Sequence, residues 1–311
     1  MSTPTRPFRF GVQARGGTSA AEWLATAHEA EELGFSTLQL FDHFLHGVGP
    51  VAALAAAAMA THTVRLGSFV LANDYRHPVL LAQEAATIDQ LSEGRLELGL
   101  GAGWDRAEYL AAGLPFDAPG VRINRLEEAV QLVKRLWTEE DVTTSGRHYA
   151  VTDLTLAVKP VQQPHPPIMI GGGGQRLLEV GGRHADIVGL APRALPDGTL
   201  DPTSIAAAAT ARKISWIRDA AASRETTPEL NIFVYAVEIT GDAPAAAERL
   251  AESFDLPAAE ILTSPHALIG TIESIIETLQ ERRERYGISY ITVGSHLATT
   301  LAPIVARLTG T

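Results

Sequence analysis

The feature that most constrains this fold is a regular alternation of short apolar segments with longer, helix-forming ones along all 311 residues. The apolar segments have the length and composition of buried parallel strands, and each precedes a predicted helix. These strands are predicted at residues 8–14, 36–42, 65–71, 95–102, 167–172, 185–191, 229–240 and 289–295. Eight β–α units with no linker between two halves predict an α/β fold, with one (β/α)8 TIM barrel domain over residues 1–311. A doubly wound open sheet is the alternative, although no Gly-x-Gly-x-x-Gly motif follows the first strand.

Residues 141–167 interrupt this alternation. The segment SGRHYAVTDL predicts a short hairpin, and VKPVQQPHPP predicts a proline-rich connector. Because the alternation resumes at once with PIMIGG, we expect an insertion in the barrel and not a boundary between domains.

Composition excludes several classes of function. The sequence has no cysteine, which removes thiolate nucleophiles, iron–sulfur clusters and cysteine-based zinc sites. Its formal net charge of −11 argues against general binding to nucleic acids or to anionic membranes, so local groups would have to hold any anionic ligand. The start, MSTPTRPFRFG, lacks the apolar core of a signal peptide, and no later segment has the length of a membrane span. We therefore expect a cytoplasmic protein.

The candidate functional residues lie where predicted strands end. In a (β/α)8 barrel the loops at the carboxyl ends of the strands build the active site, so these residues are expected on one face. They lie at or just after the carboxyl ends of the second, fourth and fifth strands: Asp42 and His43; Gly101, Gly103 and Trp104; Gly171, Gly172, Gly173 and Gly174.

The glycines at two of these ends favour a ligand that approaches the backbone. In RLELGLGAGW, glycines share one face of the fourth strand and would leave a groove for a flat ligand. Close packing against a neighbouring element explains the same pattern equally well. Gly171–Gly174 lead into a helix whose first amides would form a cradle for a phosphate, with Arg176 adding a positive charge. A flexible loop is the alternative there.

Asp42 and His43 admit three interpretations. Metal-dependent barrels gather several histidine and acidic ligands from different strand ends, whereas only His46 lies near His43, so no metal is expected. A structural role would have Asp42 cap the next turn. Proton transfer beside a bound ligand is favoured, because imidazole titrates near neutral pH; His43 would donate or accept the proton and Asp42 would orient it.

The segment RLGSFVLANDYRHPVLLAQEAATIDQLSEGRLELGLGAGWDRAEY resembles the luciferase-like monooxygenase superfamily, and especially its branch that uses coenzyme F420, an 8-hydroxy-5-deazaflavin. Further matches, in order, are LQLFDHF, PPIMIGGGG, GGRHADIVGL and ALIGTIESI. The resemblance implies a barrel, usually dimeric, that transfers a hydride between F420 and an organic substrate. The first alternative is an FMN-dependent two-component monooxygenase whose flavin is reduced by a partner reductase. The second is a non-redox barrel, either a metal hydrolase or a binding protein.

The resemblance also assigns roles to individual positions. It implies that Asp42 and His43 lie beside the cofactor ring, that a non-proline cis peptide bond behind the ring falls at Ser68–Phe69, and that Gly171–Gly174 meet the phosphate. Trp104 stands where the sugar-phosphate dehydrogenases of this branch carry a glutamate, so their activity on glucose 6-phosphate is not carried over. The aromatic residue indicates an apolar or aromatic substrate stacked over the ring. Two further candidate substrate contacts are Arg15 and Tyr75.

Overall fold

A computed structural model describes residues 6–17, 19–195 and 199–311. Within these ranges the strands are β1 (Arg9–Ala14), β2 (Thr37–Leu40), β3 (Arg65–Ser68), β4 (Leu71–Ala72), β5 (Leu96–Gly101), β6 (Val142–Ser145), β7 (Ala150–Leu154), β8 (Ile168–Gly172), β9 (Ile187–Leu190), β10 (Arg193–Ala194), β11 (Leu200–Asp201), β12 (Glu229–Val234), β13 (Ala236–Ile239), β14 (Ala267–Gly270) and β15 (Ile288–Gly294). The α-helices are α1 (Ala20–Glu32), α2 (Pro50–Ala60), α3 (Pro78–Leu91), α4 (Arg106–Ala111), α5 (Pro119–Thr138), α6 (Gln175–His184), α7 (Ala207–Ala220), α8 (Ala243–Phe254), α9 (Ala258–Thr263), α10 (Ile272–Tyr286) and α11 (Ala298–Leu308). Short 3-10 turns cover Asn73–Tyr75, Pro202–Ile205 and Ser295–Leu297.

The central sheet closes on itself. Its neighbours run in the order β3-β2-β1-β15-β12-β9-β8-β5-β4, and β3 also pairs with β5, so β3 and β4 together occupy one position of an eight-position ring. The pairings along this ring are parallel. The predicted (β/α)8 barrel is therefore confirmed, and the open doubly wound sheet is excluded because its edges would remain unpaired.

Local sequence signals set the helix ends that surround the barrel. Ser19 caps α1, with its side chain accepting a hydrogen bond from the Glu22 amide (3.3 Å), and the chain turns away at Gly34 with a φ of 78°. The long helix α5 packs an apolar stripe inward, including Leu126, which is fully buried. Each such side chain contributes about 1.5–3 kcal/mol by its burial. None of the helices in the described ranges is both long and apolar enough to cross a bilayer.

Charged side chains fill the amino-terminal end of the barrel. Glu97 accepts hydrogen bonds from Arg9 (2.5 Å) and Arg65 (2.7 Å), and Arg9 also pairs with Glu229 (2.9 Å). Burial alone would raise the pKa of Glu97, but the two arginine charges outweigh burial and lower it. This end is closed by side chains, so a ligand site is left to the opposite, carboxyl end.

The insertion matches its prediction. Strands β6 and β7 pair antiparallel, with Val142 opposite Leu154, and a proline connector with a cis bond at Gln163–Pro164 leads back to β8. The predicted seventh strand, 229–240, is different: it splits at Tyr235. Its first half, β12, belongs to the barrel, whereas β13 pairs outside it with β14.

The predicted third strand, 65–71, is also interrupted, and the expected position of its cis peptide bond was wrong by one residue. The cis bond joins Phe69 and Val70, and Ser68–Phe69 is trans. Regular pairing continues through the Phe69 amide, which donates to the Leu40 carbonyl (2.8 Å), so the strand breaks only after this residue.

Candidate active site

A cavity of about 610 Å³ opens at the carboxyl ends of the barrel strands. Its volume lies within the range of about 300–1,000 Å³ typical of small-molecule sites. Most candidate residues from the sequence line it: Arg15, Asp42, His43, Phe69, Tyr75, Gly101, Gly103, Trp104, Gly171, Gly172, Gly173 and Gly174. The barrel thus brings together residues that are separated by more than a hundred positions in the chain.

Two candidate cofactor contacts, Ser68 and Arg176, do not line this cavity. The Ser68 hydroxyl is buried between two strands, where it donates to the Gly99 carbonyl (2.8 Å) and accepts from the Gly99 amide (2.9 Å). Arg176 is exposed and donates a hydrogen bond to the Asn124 side chain at the start of α5. Both side chains therefore stabilise contacts between neighbouring elements.

His43 is held by a buried carboxylate that the sequence did not single out. Its Nδ1 lies 2.8 Å from Oε2 of Glu108, and Glu108 Oε1 accepts from the Leu45 amide (3.2 Å). An ionised carboxylate only accepts hydrogen bonds, so Nδ1 carries the proton and donates. The other ring nitrogen, Nε2, makes no hydrogen bond within the described part of the chain and is not buried. The imidazole is therefore fixed in one orientation with Nε2 free for a ligand.

Asp42 does not orient His43, contrary to expectation. One oxygen of Asp42 accepts from Arg76 Nη1 (2.5 Å) and from the Ala72 amide (3.0 Å), while the other accepts from Arg76 Nη2 (3.0 Å). The hydrogen bonds of the buried Asp42 carboxylate are thus made with Arg76 and the Ala72 amide, and not with His43. Asp42 instead ties the end of the second barrel strand to the chain after β4.

Aromatic rings pack against the His43 imidazole. The Trp104 ring meets the imidazole edge to face, with centroids 5.7 Å apart, and Phe41 does so at 5.3 Å. The Tyr75 hydroxyl lies 3.5 Å from Glu108 Oε2. Burial raises the pKa of the Tyr75 hydroxyl, and the charge of Glu108 raises it further, so this group stays protonated as a donor.

The glycines serve two different purposes. A methyl group on Gly101 would lie 2.6 Å from Val70, one on Gly171 would lie 2.8 Å from Phe69, and one on Gly173 would collide with the backbone of Pro192. At Gly101 this is the close packing that was the alternative interpretation of the fourth strand, and Gly171 and Gly173 also permit close packing. A methyl group on Gly174 meets no described atom within 4 Å. Within the described run Gly171–Gly174, Gly174 is thus the position at which an added methyl group would enter open space.

Gly174 is also the N-cap of α6 and supplies no side-chain cap. The first amides of a helix lack partners within the helix and carry a partial positive charge. Since the Gly171–Gly174 segment lines the cavity, this helix start is suited to an anionic group of a ligand.

One group of three possible metal ligands occurs among the described residues. Atoms of His43, Asp105 and Glu108 lie within 4.8 Å of one another. Glu108 is already bonded to His43, and Asp105 caps α4 by accepting from the amides of Ala107 (2.9 Å) and Glu108 (3.3 Å). A cation would have to displace these hydrogen bonds, and the absence of a metal stays a prediction.

The functional residues that sequence reasoning missed are Glu108, Arg76 and Gln13, whose amide donates to the Phe69 carbonyl (2.5 Å). For Glu108 the sequence did contain a local indication. Asp105 and Glu108 have the spacing of a helix-capping pair, directly after Trp104 in the loop that follows β5. Arg76 and Gln13 had none, because their partners lie 34 and 56 positions away in the chain, respectively, and meet them only in the folded barrel.

Comparisons with known proteins agree with this architecture. Residues 4–286 match the luciferase-like monooxygenase family. An F420-dependent glucose-6-phosphate dehydrogenase of Kineococcus radiotolerans is 35% identical over 195 residues, which are 60% of this chain and 57% of that protein. An FMNH2-dependent dimethylsulfone monooxygenase of Pseudomonas putida is 33% identical over 131 residues, 43% of this chain and 36% of that protein. The chain thus spans about half the length of the curated relatives it matches.

A solved structure of similar shape is monooxygenase RslO1 from Streptomyces bottropensis. It is 26% identical, has a TM-score of 0.72, and the match covers 96% of this chain and 97% of that one. Because the family match extends over most of the sequence, and because the barrel and its carboxyl-end cavity agree with it, the chain belongs to the luciferase-like monooxygenase family.

Proposed function

We propose that this protein is an oxidoreductase that transfers a hydride between coenzyme F420 and an apolar or aromatic organic substrate, with residues 1–311 acting as one catalytic domain. The observation that carries the proposal is the His43–Glu108 pair, which presents Nε2 of the imidazole to the cavity. The choice of cofactor is supported by a relative whose name states F420-dependent dehydrogenase activity.

The residues around the cavity fit a flat ring that carries a phosphate on a side arm. The uncapped start of α6 and the open space before Gly174 suit the phosphate. Gln13 holds the carbonyl of Phe69, and the adjacent residue Val70 and the backbone at Gly101 form a wall with few polar side chains. Such a wall suits the face of an aromatic ring.

When bound, the deazaflavin supplies a ring carbon that accepts or donates hydride. His43 supplies the proton chemistry, because its Nε2 is the atom that exchanges a proton with the substrate oxygen. Glu108 keeps the proton of the neutral imidazole on Nδ1 and stabilises the imidazolium when Nε2 is also protonated. Trp104 and Phe41 restrict the imidazole ring and exclude water from one side of it.

The lining favours an apolar or aromatic substrate over a sugar phosphate. Trp104 and Tyr75 lie beside His43, and Phe116 and Phe233 extend the apolar wall. Trp104 occupies the position at which a carboxylate is expected in the sugar-phosphate dehydrogenases of the F420 branch. An alcohol or carbonyl substrate with a planar or hydrocarbon body would stack on Trp104 with its oxygen towards His43.

An FMN-dependent monooxygenase is the second candidate. It is supported by the similarity to an FMNH2-dependent monooxygenase and to a solved monooxygenase structure. That activity would require molecular oxygen and a partner reductase that supplies reduced flavin.

We further propose that the protein acts as a homodimer joined through α2 and α3. Helix α2, PVAALAAAAMA, contains no charged residue, and its Met59 is 68% exposed. The neighbouring α3 leaves Leu80 48% exposed. Uncharged exposed faces of this kind are typical of subunit contacts. Met59→Glu should convert the dimer to a monomer in sedimentation analysis, and a monomeric unmodified protein would contradict the proposal.

The proposed reaction is tested by turnover without oxygen. Purified protein is incubated with oxidised F420 and a panel of aromatic and aliphatic alcohols, or with reduced F420 and the corresponding ketones and enones. We expect the visible absorbance of oxidised F420 to change with at least one of these substrates. The amount of F420 reduced or oxidised should equal the amount of product formed. Substrate oxidation that occurs only with oxygen and reduced FMN would overturn the F420 proposal in favour of the monooxygenase.

A further inference from the structure

A tyrosine hydroxyl in the cavity wall has no partner within the described part of the chain. Tyr235 directly follows β12 and lines the cavity together with Phe233, which lies two positions earlier on the same face of the strand. Its hydroxyl makes no hydrogen bond with any residue that the structure describes, and it is not fully buried. The neighbouring His266 ring, with its centroid 6.0 Å away, does not accept from it, since Nε2 of that ring also lacks a partner within the described ranges. Tyrosine hydroxyls in protein interiors usually have a partner, so this one indicates a polar group on a ligand.

The backbone on both sides holds Tyr235 in place. The chain passes here from the barrel strand β12 to the outer strand β13. The Tyr235 amide donates to the His266 carbonyl (2.8 Å), and Nδ1 of His266 donates to the Phe233 carbonyl (2.7 Å). The Tyr235 ring packs on the Phe233 ring, with centroids 4.7 Å apart. The hydroxyl is thus positioned before a substrate arrives, which reduces the entropy cost of binding.

Tyr235 and His43 are separate polar points of the cavity. Tyr235 follows β12 and His43 follows β2, and β1 and β15 lie between these strands in the ring. Burial and the charge of Glu108 raise the pKa of Tyr75, which lies beside His43, whereas burial alone raises the pKa of Tyr235. The Tyr235 hydroxyl therefore stays protonated as a donor, and the charge of Glu108 does not act on it. A ligand that bonds to both points needs two polar atoms.

Tyr235 faces the wall that is proposed for the cofactor ring. That wall contains Val70 and Gly101, at the ends of the third and fourth barrel strands. Three strands separate β12 from β3 and two separate it from β5, so Tyr235 lies on the opposite side of the barrel. The rings of Phe69 and Phe233 meet across the barrel, with centroids 5.9 Å apart, and close it beneath this space. A substrate above the cofactor ring therefore lies between that ring and Tyr235.

We propose that Tyr235 determines substrate specificity, and that its hydroxyl donates a hydrogen bond to a second oxygen of the substrate, away from the oxygen that reacts at His43. The substrate class is then an aromatic or apolar alcohol or ketone that carries a further carbonyl, hydroxyl or ether oxygen. This inference rests on the proposed function for the role of His43. A substrate without the second oxygen would displace water from the Tyr235 hydroxyl and leave it unpaired, which makes that substrate the weaker ligand.

The test uses pairs of ketones that differ in one oxygen atom. Each pair consists of a methoxyacetophenone and the ethylacetophenone of the same shape, substituted at the meta or the para position. Calorimetry gives their dissociation constants for protein with oxidised F420 bound, which cannot reduce a ketone. Tyr235→Phe should weaken binding of at least one methoxy compound by about 2- to 10-fold, the loss expected for one hydrogen bond, and change binding of its ethyl partner less than about 1.5-fold. Tyr286→Phe, which removes a hydroxyl on α10 outside the cavity lining, should change neither. Equal changes within every pair, or no binding of any methoxy compound, would overturn the proposal.

Two further measurements separate this role from a structural or a directly reacting one. The melting temperature of Tyr235→Phe should stay within about 2 °C of the unmodified protein, because the phenyl ring keeps its packing; a fall of more than about 5 °C would assign the hydroxyl to folding and overturn the proposal. With reduced F420 and the same methoxy ketone, KM should rise while kcat changes less than about twofold, since the hydroxyl does not contact the reacting oxygen. A fall in kcat at constant KM would place Tyr235 at the reacting oxygen and overturn the proposal.

The calorimetry is repeated without cofactor. If the loss specific to the methoxy compound appears in Tyr235→Phe although the protein neither binds nor turns over F420, the proposed function fails and the Tyr235 subsite stands.

Discussion

Replacing Glu108 with glutamine is expected to slow turnover strongly while leaving the cavity intact. Glu108 accepts one hydrogen bond from His43 Nδ1 (2.8 Å) and one from the Leu45 amide (3.2 Å). A glutamine side chain of the same shape has one acceptor oxygen and one donor amino group. In either orientation of the glutamine side chain, its amino group faces either His43 Nδ1 or the Leu45 amide, and one of these two groups loses its acceptor.

The magnitude follows from the two orientations. If the glutamine oxygen faces His43, the Leu45 amide loses the acceptor of its partly buried hydrogen bond, at a cost of about 1–3 kcal/mol. If the amino group faces His43, Nδ1 must accept, and the imidazole proton moves to Nε2. A cost of about 1–3 kcal/mol lowers the population of the state with the proton on Nδ1 and Nε2 free by about 5- to 150-fold. We expect kcat for Glu108→Gln to fall within that range.

The assay measures kcat together with the dissociation constant of the cofactor for four proteins: unmodified, Glu108→Gln, His43→Ala and the double variant. Because Glu108 acts through His43, the double variant should be no slower than His43→Ala alone. Cofactor affinity should change less than about threefold, since Glu108 does not line the cavity. Glu31→Gln removes a carboxylate that accepts from the His62 (2.8 Å) and Val64 (3.0 Å) amides away from the cavity, and kcat should then be unchanged. Full activity of Glu108→Gln, or losses that multiply in the double variant, would refute the coupling.

Three further predictions follow from the site and the core. His43→Ala should slow turnover by about 100-fold or more with cofactor affinity retained, as expected for a general acid or base, and unchanged kinetics would remove its catalytic role. Gly174→Val should weaken cofactor binding at least about tenfold with a stability loss below about 2 kcal/mol, whereas Gly173→Val should also lower the melting temperature, because its side chain meets Pro192. Glu97→Gln should lower the free energy of unfolding at pH 7 by about 3–5 kcal/mol in urea denaturation. Since the pKa of Glu97 is lowered in the folded state, this difference should shrink as the pH falls below the unfolded value of 4.5; a pH-independent difference would contradict the ion-pair account.

The elements that the sequence predicted well are those specified by local signals. Strand–helix alternation predicted the barrel, and the capping residue Ser19 marked the start of α1. The position of strand ends was enough to place His43 and Trp104 at one cavity, because every parallel strand of a barrel ends on the same face.

The features that were missed depend on contacts between distant segments. Glu108 lies 65 positions after His43, and their hydrogen bond exists only because the second and fourth barrel strands end near each other. Asp42 and Arg76 pair across the interrupted third strand in the same way. The cis peptide bond lies one residue after its predicted position. The Phe69 amide still pairs with the Leu40 carbonyl of the neighbouring strand, and no local propensity encodes that pairing.

The most direct test of the proposed function is a comparison of cofactor affinities. Purified protein, freed of any bound small molecule, is titrated with F420 and with FMN, and the quenching of fluorescence gives each dissociation constant. The proposal predicts a dissociation constant for F420 below about 1 μM, with FMN at least about tenfold weaker. Tight binding of FMN with no measurable binding of F420 would contradict the proposed cofactor, and binding of neither would contradict a redox function for this cavity.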